Sequence, residues 1–320
     1  MRVLVTGGAG FIGSHIVREL VARGDEVRVL DNLSSGRRAN LEAVDAELLV
    51  GDLTDPDAVR AALSGVTHVI HLAALVSVPR SIAEPELSHA VNVTGTLGLL
   101  VAARDLSVRR VVIASSSAVY GDTGGVNDEG LPLRPTSPYG VDKMAAEAYA
   151  ATFHRLYGLE TVSLRYFNVF GPRQAFNSPY SGVIARFCTT LLAGERPTIF
   201  GDGGQSRDFI YVENVVAANL LAAEAPAGRA AGRVFNVGGG QSITLLELAA
   251  ELQRLTQPEL APGFAPARAG DVRASLAEIT AARQALGYDV RVPWQAGLER
   301  TLAFYRGSAT GGLPRGGPAG

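Results

Sequence analysis

An α/β fold is predicted for this chain: a doubly wound parallel sheet with a smaller C-terminal domain for binding a substrate. Three observations predict it. Short β-branched runs alternate with longer amphipathic stretches in the first half, a glycine-rich turn directly follows the first run, and the alternation weakens beyond Phe170. Together they describe a Rossmann-type domain, because a glycine-rich turn between a first strand and a first helix is that fold's phosphate-binding corner.

The predicted strands are Val3–Thr6, Glu26–Asp31, Glu47–Gly51, Thr67–His71, Arg109–Ser115 and Thr161–Arg165. Helical spacing or helix-forming composition marks Phe11–Arg23, Asp57–Leu63, Ser88–Asp105 and Tyr139–Tyr157 between them. Each crossover is long enough to return over the sheet with the usual right hand, so the strands are expected to be parallel. Val212–Ala223 and Val234–Val237 read as a helix and a strand that rejoin the main sheet. The expected division is 1–170 with 207–237 as the dinucleotide-binding domain, and 171–206 with 238–306 as the substrate domain. Residues 307–320, rich in Gly and Pro with little to bury, are expected to form a flexible tail.

Composition narrows the function. With 320 residues, 47% of them hydrophobic, the chain fills a large core, and a net charge of −2 without a long single-sign run argues against nucleic acid and anionic membrane as partners. The opening MRVLVTGGAG lacks the apolar core and cleavage site of a signal peptide, no stretch reads as a membrane span, and Cys188 has no second cysteine to pair with. A cytoplasmic enzyme is the expectation. No metal-ligand spacing stands out.

In Thr6-Gly7-Gly8-Ala9-Gly10-Phe11-Ile12-Gly13, Gly7 supplies the tight turn, Gly10 lets a pyrophosphate approach the backbone, and Gly13 allows close helix packing. The helix N-terminus then offers free amides to the phosphates. Asp31, ending the second strand, is placed to accept the adenosine ribose hydroxyls and to repel a 2′-phosphate, which favours NAD over NADP. Asp52, ending the third, could reach the adenine. Either carboxylate could instead simply cap its turn.

Tyr139 and Lys143 are four apart near a predicted helix start and so face the same way. A phenol is a poor base near neutrality unless positive charge stabilises its phenolate, and a neighbouring ammonium and a bound nicotinamide would both do so. Lys143 is the single lysine among 29 basic residues, so arginine has not served at this position. Ser115, Ser116 and Ser117 end the fifth strand, where a hydroxyl could share a reacting alcohol with Tyr139 or merely start a turn.

With TGGAGFIGSH (6–15), HLAA (71–74), SSSAVYG (115–121), SPYGVDK (137–143), RYFNVFGPRQ (165–174), RDFIYVENV (207–215) and FNVGGG (235–240) assembled, the chain resembles extended short-chain dehydrogenases/reductases, and within them UDP-glucose (UDP-galactose) 4-epimerases. The resemblance implies NAD contacts at Phe11, Ile12, Asp31, Asn32, Asp52, Leu53, Leu72, Ala73, Ala74, Asn92, Tyr139, Lys143 and Phe167. It implies a catalytic serine at Ser116, with Ser117 the near alternative. It implies that Asn168, Thr198, Ile199, Phe200, Arg207, Arg268 and Asp271 hold UDP and its ribose, and two guanidinium forks suit a diphosphate.

Two positions depart from the family pattern. Val76 stands where some relatives carry a Lys, and Ser275, four after Asp271, stands where a bulky Tyr excludes N-acetylated sugars. The expectation is 4-epimerisation of UDP-glucose and UDP-galactose, and of UDP-GlcNAc and UDP-GalNAc as well, with Tyr139 as base, retained NAD and a homodimer through the helices near 88–105 and 139–157. Dehydration is disfavoured, because Ser117-Ala118 replaces the Asp-Glu pair of relatives that perform it. The alternatives are a UDP-glucuronate 4-epimerase or another nucleotide-sugar enzyme of the same superfamily, and, of a different class, a non-catalytic NAD-binding protein.

Overall fold

Seven strands, every adjacent pair parallel, form the spine of the molecule in a computed structural model that describes residues 1–176, 182–256, 260–267 and 272–310, the side chains of 308–310 apart. They are β1 (Arg2–Thr6), β2 (Glu26–Asp31), β3 (Glu47–Val50), β4 (His68–His71), β5 (Arg110–Ser116), and the strands Glu160–Tyr166 and Arg233–Val237. From one edge the order runs Arg233–Val237, Glu160–Tyr166, β5, β4, β1, β2, β3. The winding reverses between β1 and β4, and such a reversal opens a crevice at the carboxyl ends of the strands. All the predicted strands are present, with ends shifted by a residue or so.

Alternation of side chains across the sheet builds two cores. Val3, Val5, Val29, Ile70 and Val112 pack on one face, and Leu4, Leu30, Val69, Val111 and Ile113 on the other. Helices cover both faces, which is why these strands are apolar almost throughout. Helix α1 (Phe11–Ala22) buries Ile16, Val17 and Leu20; helix α2 (Pro56–Leu63) starts on Asp55, whose side chain accepts from the Asp57 amide, with Pro56 in the first turn.

The stretch predicted as one helix over Ser88–Asp105 is helical in three parts: Pro85–His89, a π-helical turn over Ala90–Gly95, and Thr96–Asp105. The helix predicted from Tyr139 runs Pro138–Tyr157. Ser137 caps it by accepting from the Gly140 amide, Pro138 occupies its first turn, and Gly158 ends it in the left-handed region at φ 69°.

Beyond residue 170, a third core of Phe170, Ile184, Phe187, Ile199, Leu248 and Leu298 gathers the helices Val183–Leu192, Leu245–Leu255 and Trp294–Thr310. A small sheet orders Ile243–Thr244, Ser206–Arg207, Ala274–Ala277 and Val126–Asn127. Ser206–Arg207 thus pairs within this small sheet, one residue across the expected boundary, and Val126–Asn127 is contributed to it from the first half. Thr198–Phe200 is a strand, paired in parallel with Gly263–Ala265. The last helix reaches Thr310, past Gly307, where the sequence suggests a tail; residues 311–320 lie outside the described residues.

Candidate functional site

At the reversal point, β1 runs into the glycine turn and β4 into Leu72-Ala73-Ala74. Gly7 adopts φ 69°, and a Cβ there would stand 2.8 Å from the Ala73 nitrogen; one on Gly13 would stand 2.2 Å from the Gly7 carbonyl oxygen. The turn therefore holds its shape only with glycine at both positions. Helix α1 begins at Gly10 with no side-chain cap and no acidic residue in its first turn. Amides left free at a helix N-terminus, with a backbone too tight for side chains, suit a pyrophosphate, so these residues fit the dinucleotide the sequence implies. Phe11, Ile12 and Gly13 form that first turn.

Asp31 is 7% exposed, and its carboxylate accepts from the amides of Ala9 (2.9 Å) and Leu33 (2.8 Å). It braces the glycine turn from the end of β2. Asp52 accepts from Asn32 Nδ2 (2.7 Å) and from the Thr54 amide (2.9 Å) and hydroxyl (2.7 Å), and these bonds hold its carboxyl below the usual range. Leu53 is buried beneath it against Gly95. Turn capping and a place at the crevice rim thus coincide in both carboxylates.

The floor of the crevice is a buried relay that the sequence reading did not assign. Thr6 Oγ1 lies 2.7 Å from His71 Nδ1, and His71 Nε2 lies 2.9 Å from Thr96 Oγ1. Thr96 donates to the Asn92 carbonyl (2.7 Å), so it accepts from Nε2–H, and Nδ1 accepts from Thr6. Burial pushes His71 down to about 3, with Lys143 adding to the fall, which keeps this neutral tautomer. Thr6 in turn accepts from the amides of Leu72 and Ala73 (3.2 Å each), tying β1 to the segment after β4. Asn92, in the π-helical turn, clasps Leu75 through its amide nitrogen (2.8 Å) and carbonyl (3.2 Å). Val76, next along, is 70% exposed.

Tyr139 and Lys143 lie in the first turns of Pro138–Tyr157, both buried. The Lys143 nitrogen donates to the Ala114 carbonyl of β5 (2.9 Å) and lies 5.9 Å from the centre of the Tyr139 ring. Burial lowers the Lys143 ammonium to about 8 against the pull of Asp142 and Glu147. Burial raises the Tyr139 phenol to about 12, and a hydrogen bond with Ser116 opposes the rise. Ser116 Oγ also accepts from the Ala118 amide (3.1 Å).

The three serines therefore separate. Ser116 faces Tyr139, Ser117 opens the short 3₁₀ turn Ser117–Val119, and Ser115 donates to Glu147, farther along the helix that carries Tyr139. Glu147 is held in bidentate fashion by Arg165 (2.9 and 2.7 Å), and Arg165 also donates to Tyr120 (2.8 Å), which donates to Asn236 (2.7 Å). Phe167 is fully buried beside the Tyr120 ring.

A cavity of about 190 Å³ is lined by Asn168, Arg186, Thr198, Phe200, Gln205 and Arg207 among others. Alternation along Thr198–Phe200 turns Ile199 into the core, fully buried, so its backbone but not its side chain is available to a ligand. Ser275 pairs directly with Arg207 in the small sheet. Arg268 and Asp271 lie outside the described residues. Arg186 and Gln205 were missed in the sequence, where neither belongs to a motif with a spacing of its own. Among the described residues no group of His, Cys, Asp or Glu is placed to hold a metal ion, and no helix is long and apolar enough to cross a membrane.

A model of the NAD dependent epimerase/dehydratase family matches residues 3–238. The chain is similar to a UDP-glucose 4-epimerase of Mycolicibacterium smegmatis, 41% identical over 313 residues that span 96% of this chain and 99% of that protein. Among solved structures it is similar to UDP-N-acetylglucosamine 4-epimerase from Methanobrevibacter ruminantium in complex with UDP-N-acetylmuramic acid, with TM-score 0.89, 39% identity and coverage of 96% and 98% of the two chains. Thermus thermophilus UDP-glucose 4-epimerase in complex with NAD matches with TM-score 0.87 and 40% identity over 96% of this chain and 100% of that one.

Proposed function

The chain belongs to the NAD dependent epimerase/dehydratase family, and from that premise we propose that it inverts C4 of UDP-hexoses, interconverting UDP-glucose and UDP-galactose through a 4-keto sugar. The observation that carries the reading is the Tyr139 phenol hydrogen-bonded to Ser116, with the Lys143 ammonium behind the ring; a cavity lined by Arg186 and Arg207 supports a place for the diphosphate. NAD, held by the glycine turn, would supply the hydride acceptor and donor that oxidation and reduction at C4 require.

Tyr139 takes the proton from the C4 hydroxyl as that carbon is oxidised, and Ser116 shares the hydrogen bond to the same oxygen. The same phenol gives the proton back when C4 is reduced. Lys143, held on the Ala114 carbonyl, supplies the positive charge that makes a phenolate accessible. Asn168, Phe200 and Arg207, with Arg268 and Asp271, keep UDP fixed while the hexose turns. Glycine-turn amides, Asp31, Asn32 and Asp52 hold the dinucleotide, which stays bound from one turnover to the next.

Ser275, which pairs with Arg207, is small where the family pattern puts a bulky Tyr, and this supports extending the range to UDP-GlcNAc and UDP-GalNAc. Two measurements test the reading. Tyr139→Phe should abolish interconversion of UDP-glucose and UDP-galactose while the protein keeps its fold. Ser275→Tyr should retain that reaction and lose the N-acetyl sugars; an unchanged N-acetyl rate would sink the pocket argument.

The active form is proposed to be a homodimer joined through Thr96–Asp105 and Pro138–Tyr157. Val141 (46% exposed) and Tyr149 (38% exposed) present apolar surface there beside the small side chains of Ala145 and Ala148. A free, buried Cys188 accords with a reducing compartment such as the cytoplasm.

A further inference from the structure

Asp208 follows Arg207 directly and is fully buried. Its Oδ1 accepts from the Gly239 amide (2.5 Å), and its Oδ2 from the amides of Gly240 (3.0 Å) and Ala277 (3.1 Å). Its own carbonyl accepts from Asn168 Nδ2 (3.0 Å). One residue thereby joins the loop after Arg233–Val237, the strand Ala274–Ala277 that carries Ser275, and the strand that carries Arg207. The glycines of FNVGGG are fitted around it: a Cβ on Gly238 would stand 2.8 Å from Oδ2, and one on Gly239 3.1 Å from Oδ1.

Three convergent N–H donors require an acceptor-only group, which an ionised carboxylate is and a carboxamide or a protonated carboxyl is not. Among the described residues, the titratable side chain acting on Asp208 is Tyr288, whose hydroxyl donates to the Gly238 carbonyl (2.8 Å) and which burial keeps protonated. Glu278, beside Ala277, directs its carboxylate to Thr280 instead (2.6 Å), and Arg207 directs a guanidinium N–H to the Ser206 carbonyl (2.9 Å). A buried charge held by amides alone costs stability that an apolar side chain would not.

We propose that Asp208 is a positioning residue for the sugar nucleotide, setting the spacing of Asn168 and Arg207 at the cavity and of Ser275 on the strand beside Arg207. It touches no ligand itself. A proton on the carboxyl replaces one acceptor with a hydroxyl facing N–H donors, and so loosens that spacing. Burial pushes the Asp208 carboxyl up to about 6, against the three amides that hold it down, so this change falls within an accessible pH range. The proposal rests on the UDP-sugar reading above.

Calorimetric titration of the NAD-loaded protein with UDP-glucose tests it, using wild type and Asp208→Asn at about pH 8 and about pH 5. At the higher pH the variant should bind roughly tenfold or more weakly. Wild type at the lower pH should fall toward the variant's affinity, the variant should change little between the two, and NAD content should stay the same throughout. Equal wild-type affinity at both pH values overturns the proposal, as does a variant that binds like wild type or shares its pH sensitivity. If the variant fails to fold, the wild-type pair of titrations decides alone. Wild type that takes no UDP-glucose at about pH 8 contradicts the UDP-sugar reading, and the proposal falls with it.

Discussion

A phenol pushed up to about 12 cannot serve as a base near neutrality without added positive charge. Lys143 and a bound nicotinamide ring are the two sources at hand, and the ammonium persists only below its own pKa of about 8. The sign follows: as pH rises through about 8, Lys143 loses its proton, the phenolate loses its support, and turnover declines. A pH profile of kcat should show this alkaline limb; a rate that climbs steadily toward pH 10 would contradict it. Lys143→Arg should remove the limb, since Arg stays charged, yet lower kcat by roughly a hundredfold, because a guanidinium fork cannot repeat the single bond to Ala114 in the same space. Tyr139 and Lys143 were legible in the sequence through their spacing and the solitude of the lysine. Ser116 could not be separated from Ser117 there, since only the path of β5 decides which hydroxyl meets Tyr139. His71, Glu147 and Asp208 were invisible as functional supports, because their partners are distant in the chain.

At the level of elements, the glycine turn and the helix Pro138–Tyr157 are held by different means. The turn depends on the absence of side chains: Gly13→Ala would drive a methyl into the Gly7 carbonyl, and the purified variant should carry far less NAD than wild type, read by extraction and absorbance. Undiminished NAD would remove the turn from the cofactor site. The helix Pro138–Tyr157 depends on the buried Glu147–Arg165 pair, both under 6% exposed, which anchors it to the strand Glu160–Tyr166 and, through Ser115, to β5. Glu147→Gln leaves Arg165 buried without its counter-charge and should cost about 3–5 kcal/mol, seen as a lowered Tm; an unchanged Tm would mean that Tyr120 suffices to hold Arg165. Helical spacing and composition revealed the longer helices of the first half but not the short helix Val78–Ala83, which spans too few residues to show a period. The helix Leu245–Leu255 announces itself by the capping box of Thr244 and Glu247, a signal present in the sequence but set among Pro- and Gly-rich neighbours that suggested loops.

Across the whole molecule, the parallel sheet was legible because strand and helix periods alternate, and the place of the crevice followed from the glycine turn. The small sheet was not. Its strands Val126–Asn127, Ser206–Arg207 and Ile243–Thr244 are too short to show a period, and their partners come from segments far apart in sequence. That interleaving pairs Arg207 of the cavity with Ser275, and Asn168, also of the cavity, lies two residues past Tyr166, which pairs with Ser116. The proposed reaction oxidises and then reduces one carbon, so NAD would be regenerated in every turnover and need not leave. The most direct test is incubation of the purified protein, without added NAD, with UDP-galactose and with UDP-N-acetylgalactosamine, following the products by NMR. Formation of the C4 epimer from both is the predicted result; no conversion of either, even after NAD is supplied, would contradict it.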